Sequence, residues 1–340
     1  MTQTLGYFAA SPKPASLPLM DPLSDVLRTI ELSGVTFLRG DFRGEYGLVM
    51  PPPTVQHPLV RPRSREHRLV MFHVVQDGAC YLEVEGYPAE RMGEGDLVIL
   101  FDDIDHVLVD TPGRRTIHSS EVVPEYPEVC APPIVYIGDG PRSLRIVCGM
   151  LQLVDRGFNP VFDALPPYIL LTSDSGVGSA WLQRNLQHLI SAATSAAPGS
   201  HALLNRLTEA LFIEALRTYI AALPATETGW LAALGDEVVG KALQCMHEAP
   251  AEPWTVAKLA QAIGASRSTL AARFQSVLGM APIGYLTRWR IRLGTNLLRD
   301  GVSVTETARS VGYESEAAFS RAFKREMGAS SRAWVGEARA

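Results

Sequence analysis

Residues 259–279, LAQAIGASRSTLAARFQSVLG, and 307–328, TARSVGYESEAAFSRAFKREMG, are two copies of one pattern. Leu259-Ala260, Ile263-Gly264, Ser266, Leu270, Phe274 and Gly279 recur as Thr307-Ala308, Val311-Gly312, Ser315, Phe319, Phe323 and Gly328. The offset is 48 residues before the turn and 49 after it, so the second turn is one residue longer. Such a repeat marks one supersecondary unit used twice. Each copy starts with a short amphipathic helix, its apolar face carried by Val256, Leu259, Ala260 and Ile263, then by Val304, Ala308 and Val311. Ser303 and Glu306 have capping-box spacing, and Ser266 and Ser315 are placed to cap the helices that follow. Those second helices put Leu270/Phe274 and Phe319/Phe323 four residues apart on a face to be buried. Their other faces show Arg267, Ser268 and Arg273, and Ser315, Glu316, Ser320, Arg321 and Lys324. A short helix clamping a longer, polar-faced one is the helix-turn-helix, whose second helix enters the DNA major groove led by its N-terminal residues. The polar-face residues are therefore the candidate DNA contacts.

Between the copies, Pro282–Arg299 reads as one longer helix with Tyr285, Leu286, Trp289, Leu293 and Leu297-Leu298 apolar. Arg288, Arg290 and Arg292 are expected partly on its outer face, and a stiff connector would hold the two recognition helices at a fixed distance. Charge follows the repeat. The chain as a whole carries −5, but from Asp236 to Ala340 there are 14 Lys and Arg against 10 Asp and Glu, a net of +4, which leaves −9 for the rest. Affinity for phosphate thus belongs to the C-terminal third.

The chain has 340 residues, 46% apolar and 20% charged, which excludes wholesale disorder and suits about two domains. No apolar run reaches membrane-spanning length; Ala210–Leu223 is interrupted by Glu214 and Arg217. The first twenty residues, with Pro12, Pro14 and Pro18, read as a flexible tail rather than a signal peptide. Cys80, Cys130, Cys148 and Cys245 lie far apart, as in a reduced, cytoplasmic protein. Asp21-Pro22 opens a short helix that Gly34 is expected to close. From Val35 to about Leu153 the texture is β-rich: runs such as His67–Gln76, Ala79–Glu85 and Asp96–Phe101 alternate with Gly-containing turns, and Pro-rich loops surround 124–133. An antiparallel barrel or jelly roll is implied. Two helices follow, Ser179–Ser191 and Ser200–Leu223. The second has apolar residues at Leu204, Leu207, Leu211, Phe212, Leu216, Ile220 and Leu223, suited to an intradomain hairpin, a hinge or a dimer seam. Residues 225–229 read as a linker between domains with separate cores.

The stretch from about Gly229 to Trp334 resembles the DNA-binding domain of the AraC/XylS family of bacterial transcription regulators. The resemblance rests on WTVAKLA (254–260), SRSTLAARF (266–274), YLTRWRIRLGTNLLRDG (285–301) and GYESEAAFSRAFKREMG (312–328). The upstream GWLAALGDEVVGKALQCMHEAP (229–250) is similar to a subgroup whose N-terminal domain is a cupin-like barrel, and MFHVVQDGACYLEVEG (71–86) with GDLVILFDDIDHVLVD (95–110) resembles that barrel. Two departures stand out: Ala272 where the family usually has Arg, and Ser330-Ser331 where it usually has Ser-Pro. The resemblance implies double-stranded promoter DNA, a small-molecule effector inside the barrel, a homodimer, and contact with RNA polymerase in an activator.

Many cupins are metal enzymes, with a His-x-His pair, a carboxylate and a distant His. Aligned on Gly78, these positions fall on Arg65, His67, Met71 and His106, so two of four ligands survive and Arg65 would repel a cation. His73 and Cys148 could add softer ligands if their strands face inward. The metal is left open, no cofactor is assigned, and His73, His106 and Cys148 are the candidate ligand-binding residues. Walker-type, CxxC and HExxH motifs are absent, and 174–178 (DSGVG) reads as a linker. The expected architecture is α+β: a tail (1–20), a cupin-like sensor barrel (21–165), a helical connector or dimer seam (166–228) and an all-α double helix-turn-helix domain (229–340). The expected function is a non-enzymatic, sequence-specific DNA-binding regulator. The alternatives are a cupin metalloenzyme fused to such a domain, and a ligand-free regulator whose barrel only dimerises.

Overall fold

A computed structural model describes residues 21–29, 31–51, 67–101, 104–122, 134–154, 158–173, 180–195, 197–224 and 226–338. The tail, the Pro-rich 124–133 segment, Arg65, Cys130, the 174–178 linker and Ala225 lie outside the described residues, as does the side chain of His67.

Helix α1 (Pro22–Arg28) starts at the Asp21 cap, whose carboxylate accepts from the Ser24 N–H at 2.9 Å. It stops at Thr29, not Gly34. Strand β1 (Glu31–Arg43) claims Gly34 for a ladder with β10 (Arg142–Val154), and the register shifts between Leu32 and Gly34. The other strands are β2 (Gly47–Met50), β3 (His67–Gly78), β4 (Cys80–Val84), β5 (Glu90–Met92), β6 (Leu97–Leu100), β7 (His106–Val109), β8 (Ile117–His118), β9 (Ile134–Ile137) and β11 (Tyr168–Leu171). They form two sheets, ordered β11-β6-β3-β10-β1-β9 and β5-β4-β7-β2-β8. The described strands therefore make a jelly-roll sandwich of facing sheets, in place of one continuously paired barrel.

Alternation decides what each face does, because successive strand side chains point to opposite sides. In β3, Leu69, Met71 and Val75 enter the sandwich core with Leu48, Leu82, Leu108, Ile146 and Met150. Val70, Phe72 and Val74 point outward, where α2 (Ala180–Thr194) and α3 (Ser200–Ala222) cover them. Gly149 is required on this outer face: a Cβ there would sit 2.2 Å from the Phe72 ring. Leu204, Leu211, Phe212 and Leu216 of α3 are buried within this layer, which supports the hairpin reading of that helix.

The C-terminal region comprises α4 (Trp230–Ala233), α5 (Val239–Glu248), α6 (Val256–Ala262), α7 (Arg267–Leu278), α8 (Pro282–Arg299), α9 (Val304–Ser310), α10 (Glu316–Met327) and α11 (Ser331–Ala338). The expectation of separate domain cores is overturned. One apolar cluster runs from Phe72 and Leu151 on the sheet, through Leu189 and Phe212, to Trp230, Leu243, Phe274, Tyr285 and Trp289 around α7. The second helix-turn-helix has a core of its own, built from Ile291, Leu298, Ala308, Val311, Phe319, Phe323 and Trp334. The segment before β11 joins the two layers, with the Phe162 ring stacked on Phe212 of α3 and Phe158 edge-on to Tyr285, so the two share one interior. Among the described residues, no helix is long and apolar enough to cross a membrane.

Candidate DNA-binding surface and buried polar sites

The two helix-turn-helix units follow one capping grammar. Thr255 and Ser303 cap α6 and α9, accepting from the Lys258 and Glu306 N–H groups. Ser266 and Ser315 cap α7 and α10, accepting from Thr269 and Ala318. Gly279 and Gly328 end α7 and α10 in the left-handed region, at φ 65° and 74°. Of the expected capping box at Ser303, the serine half forms. Ser330 caps α11 in the same way, its hydroxyl accepting from the Ala333 N–H, so the Ser-Ser pair starts the last helix without a proline.

The candidate contacts divide by their neighbours. Arg267, Arg321 and Lys324 are exposed on α7 and α10. Ser268 shares a hydrogen bond with Ser266, 2.9 Å between hydroxyls. Arg273 is turned back on its own domain: its Nε and Nη2 both lie 2.7 Å from Asp236 Oδ2. Asp236 also accepts from the N–H groups of Val238 and Val239. Burial raises its pKa, but these donors outweigh it and hold the carboxyl below the usual range. Glu316 accepts from the Thr305 hydroxyl at 2.6 Å and pairs with Arg332 at 3.3 Å, and these bonds lower its pKa. Ser320 is half-buried, 3.4 Å from the hydroxyl of buried Ser331.

Of the connector arginines, Arg288 is exposed and Arg290 half-buried, as expected of an outer face, but Arg292 is not outward. Arg292 is buried, its Nη2 donating to the Thr29 carbonyl at 3.0 Å. Arg288 lies over the Phe158 ring and 3.5 Å from Glu326. Arg290 donates to backbone carbonyls of the loop before α6. Sequence reading also missed a network across the domain boundary. His247 on α5 lies 2.9 Å from Asp25 of α1 through Nδ1 and 2.8 Å from the Tyr285 hydroxyl through Nε2, and Trp230 Nε1–H donates to that hydroxyl at 2.8 Å. One polarity satisfies every group: Trp230 N–H to Tyr285, Tyr285 O–H to His247 Nε2, and His247 Nδ1–H to the Asp25 carboxylate. Burial lowers the His247 pKa against the opposing pull of Asp25, which favours the neutral imidazole in the folded chain. Its partners are 222 and 38 residues away, and no local pattern signals them.

Inside the sandwich, the inward register does bring His73, His106 and Cys148 together. Cys148 pairs with His73 across β10 and β3. His73 Nδ1 lies 2.9 Å from Cys148 Sγ, and its Nε2 lies 2.8 Å from His106 Nε2. His106 Nδ1 is 3.5 Å from the Ile104 carbonyl. A neutral relay fits: thiol S–H to His73 Nδ1, His73 Nε2–H to His106 Nε2, His106 Nδ1–H toward Ile104. Burial, then the charge of His106, drives the His73 pKa well below its ordinary value, and burial raises the Cys148 thiol. The donors stand in a row with His73 giving one nitrogen to each neighbour, so as arranged they do not converge on one ion. Among the described residues no three His, Cys, Asp or Glu side chains are grouped to hold a metal.

A jelly-roll sandwich whose outer sheet face shares a core with the first of two capped helix-turn-helix units has the two-part build of a DNA-binding regulator. A family model described as a cupin matches residues 21–221, and one described as a helix-turn-helix domain matches residues 259–336. A putative AraC-like transcription regulator of Streptomyces lividans is 32% identical over 311 residues, 91% of this chain and 96% of that protein. The transcriptional regulator AlkR of Acinetobacter baylyi is 27% identical over the same shares of both chains. Among solved structures, the DNA-binding domain of AdpA in complex with a target DNA is 30% identical, covering 31% of this chain and 95% of that one, with a TM-score of 0.30. The chain belongs to the AraC family of DNA-binding transcription regulators, in the group with an N-terminal cupin domain.

Proposed function

We propose that this regulator binds promoter DNA with both helix-turn-helix units and that a small molecule entering the sandwich controls it. The observation that carries the reading is the single apolar core from the outer sheet face to the first recognition helix, which gives the sandwich a route to one reading head. Arg267, Ser268, Arg273, Ser315, Glu316, Ser320, Arg321 and Lys324 form the DNA surface, with Arg273 leaving Asp236 for a phosphate. His73, His106 and Cys148 are the polar contacts of the effector site, set in an otherwise apolar interior. The tail, sensor, connector and DNA-binding parts divide near residues 20, 165 and 228. The protein works in the cytoplasm as a homodimer and touches RNA polymerase when it activates. It is read as a regulator and not an enzyme because its relatives are named regulators.

The test uses the full chain, since cutting at 236 removes Trp230 and Leu231 from the shared core. Binding to DNA selected from random sequence should exceed binding to scrambled DNA and weaken steeply with salt, as counterions are released. Equal affinity for both DNAs would overturn the reading. For the sensor half, His106→Ala should shrink an effector response of about 1–3 kcal/mol while leaving effector-free DNA affinity in place.

A further inference from the structure

Each reading head sits separately on α8. Leu270 and Phe274 share a core with Tyr285, Leu286 and Trp289, and Phe319 and Phe323 share another with Ile291 and Leu298. Apolar contact is non-directional, so two bodies seated on one helix can still tilt against each other. A direct polar link between the heads removes that freedom.

Arg290, half-buried on α8, supplies it. Its Nε donates to the Pro250 carbonyl at 2.7 Å and its Nη2 to the Glu252 carbonyl at 2.8 Å. Both carbonyls belong to the loop that enters the first head, where Trp254 Nε1 donates to the Ala249 carbonyl and Thr255 caps α6. The same guanidinium lies over the Tyr313 ring, 5.8 Å from its centroid. Tyr313 stands in the turn of the second head, edge-on to Phe319 at 5.5 Å. Beside it, Gly312 at φ 84° lets loop and turn meet backbone to backbone: a Cβ there would lie 2.6 Å from Ala251 Cα and its carbonyl oxygen.

We propose that Arg290, bridging the 250–252 loop and Tyr313, is a positioning residue that fixes the spacing of the two heads and so sets which separation of half-sites the protein accepts. A guanidinium suits the task. Its rigid fork serves two carbonyls at once while its flat face rests on an aromatic ring, and a lysine ammonium can do only part of this. Residue 290 thereby acts on DNA without touching it. The inference rests on reading both helix-turn-helix units as heads on one duplex.

The test starts from the site that the wild-type chain selects from random duplexes, remade with one base pair inserted between the half-sites. That insertion shifts one half-site by about 3.4 Å and turns it by about 34°. A stiff pair of heads then loses base contacts of one head, and wild-type affinity should fall about 10- to 100-fold. In Arg290→Ala the heads adapt, and the insertion penalty should shrink toward none while affinity for a single half-site is kept. Arg290→Lys, which keeps the charge but not the fork, should fall between. Should Arg290→Ala fail to fold, Arg290→Lys and Tyr313→Leu carry the same comparison. Folded variants that keep the wild-type insertion penalty overturn the role of Arg290. A wild-type chain indifferent to the insertion overturns the two-head reading instead.

Discussion

The two helix-turn-helix units share a sequence pattern, caps at the same three positions and a buried pair of side chains four residues apart, yet they sit in different surroundings. Phe274 of the first is part of a core that reaches the sandwich sheet, and Phe323 of the second is part of a core closed by α8, α9, α10 and α11. Asp25 and Thr29 of the N-terminal region hydrogen-bond to His247 and Arg292, on α5 and α8. A repeated local pattern therefore does not give two equivalent readers. One head is joined to the cupin domain through packing and buried hydrogen bonds, and the other reaches it through the connector.

The largest effect that can break this contrast comes from truncating the cores. Phe274→Ala and Phe323→Ala each should cost about 3–5 kcal/mol. Phe274→Ala should lower the main unfolding transition of the whole chain. Phe323→Ala should melt the second head ahead of the rest, with amide exchange in α5 and α7 still protected. Identical unfolding profiles for the two variants would erase the distinction.

Asp25→Ala comes next. It leaves the buried His247 Nδ1–H without its acceptor, a loss of about 1–3 kcal/mol. Hydrogen exchange should rise in α1 and α5 and stay unchanged in α10. The same network has a pH signature. The folded pKa of His247 is lowered below the ordinary 6.5, and that of His73 further still, so the folded chain binds fewer protons than the unfolded one. Stability should be fully present above that pH and decline as pH falls below it, measurable as a drop in melting temperature between neutral and mildly acidic buffer. His247→Gln should flatten part of that slope.

Base readout gives a comparable but separable effect. Arg267→Ala and Arg321→Ala should each relax discrimination by about 1–3 kcal/mol, in different halves of the site. Loss of the same bases in both footprints would count against two independent heads. The caps give the smallest effect: Thr255→Ala and Ser303→Ala should cost about 1 kcal/mol each. The first should be felt in the shared transition, the second only in the later head.

Much of this was written in local pattern. Short β-rich runs at 67–76 and 96–101 between Gly-containing turns marked sheet strands, Asp21-Pro22 marked the start of α1, and the serines at 266 and 315 marked the recognition helices, because each signal lies within a few residues of its effect. His73, His106 and Cys148 were legible as a residue set on the condition that their strands face inward, because alternation alone does not say which face is the inner one. Whether those donors surround a point or stand in a line was not, because it depends on the register between β3 and β10 and on how the sheet that holds β7 packs against them.

The sequence by itself determined the two classes of structure, the duplicated reading unit and its placement in the basic third, all of them consequences of short-range periodicity and composition. Only the tertiary structure decided that the first head shares a core with the outer sheet face of the cupin domain, that Arg273 rests on Asp236, that Arg292 is buried against Thr29, and that Arg290 bridges the two heads. Each of these joins residues 37 to 263 positions apart, or three elements at once. Such pairings are selected by burial and by the need to satisfy buried donors, conditions that exist only once the helices have met.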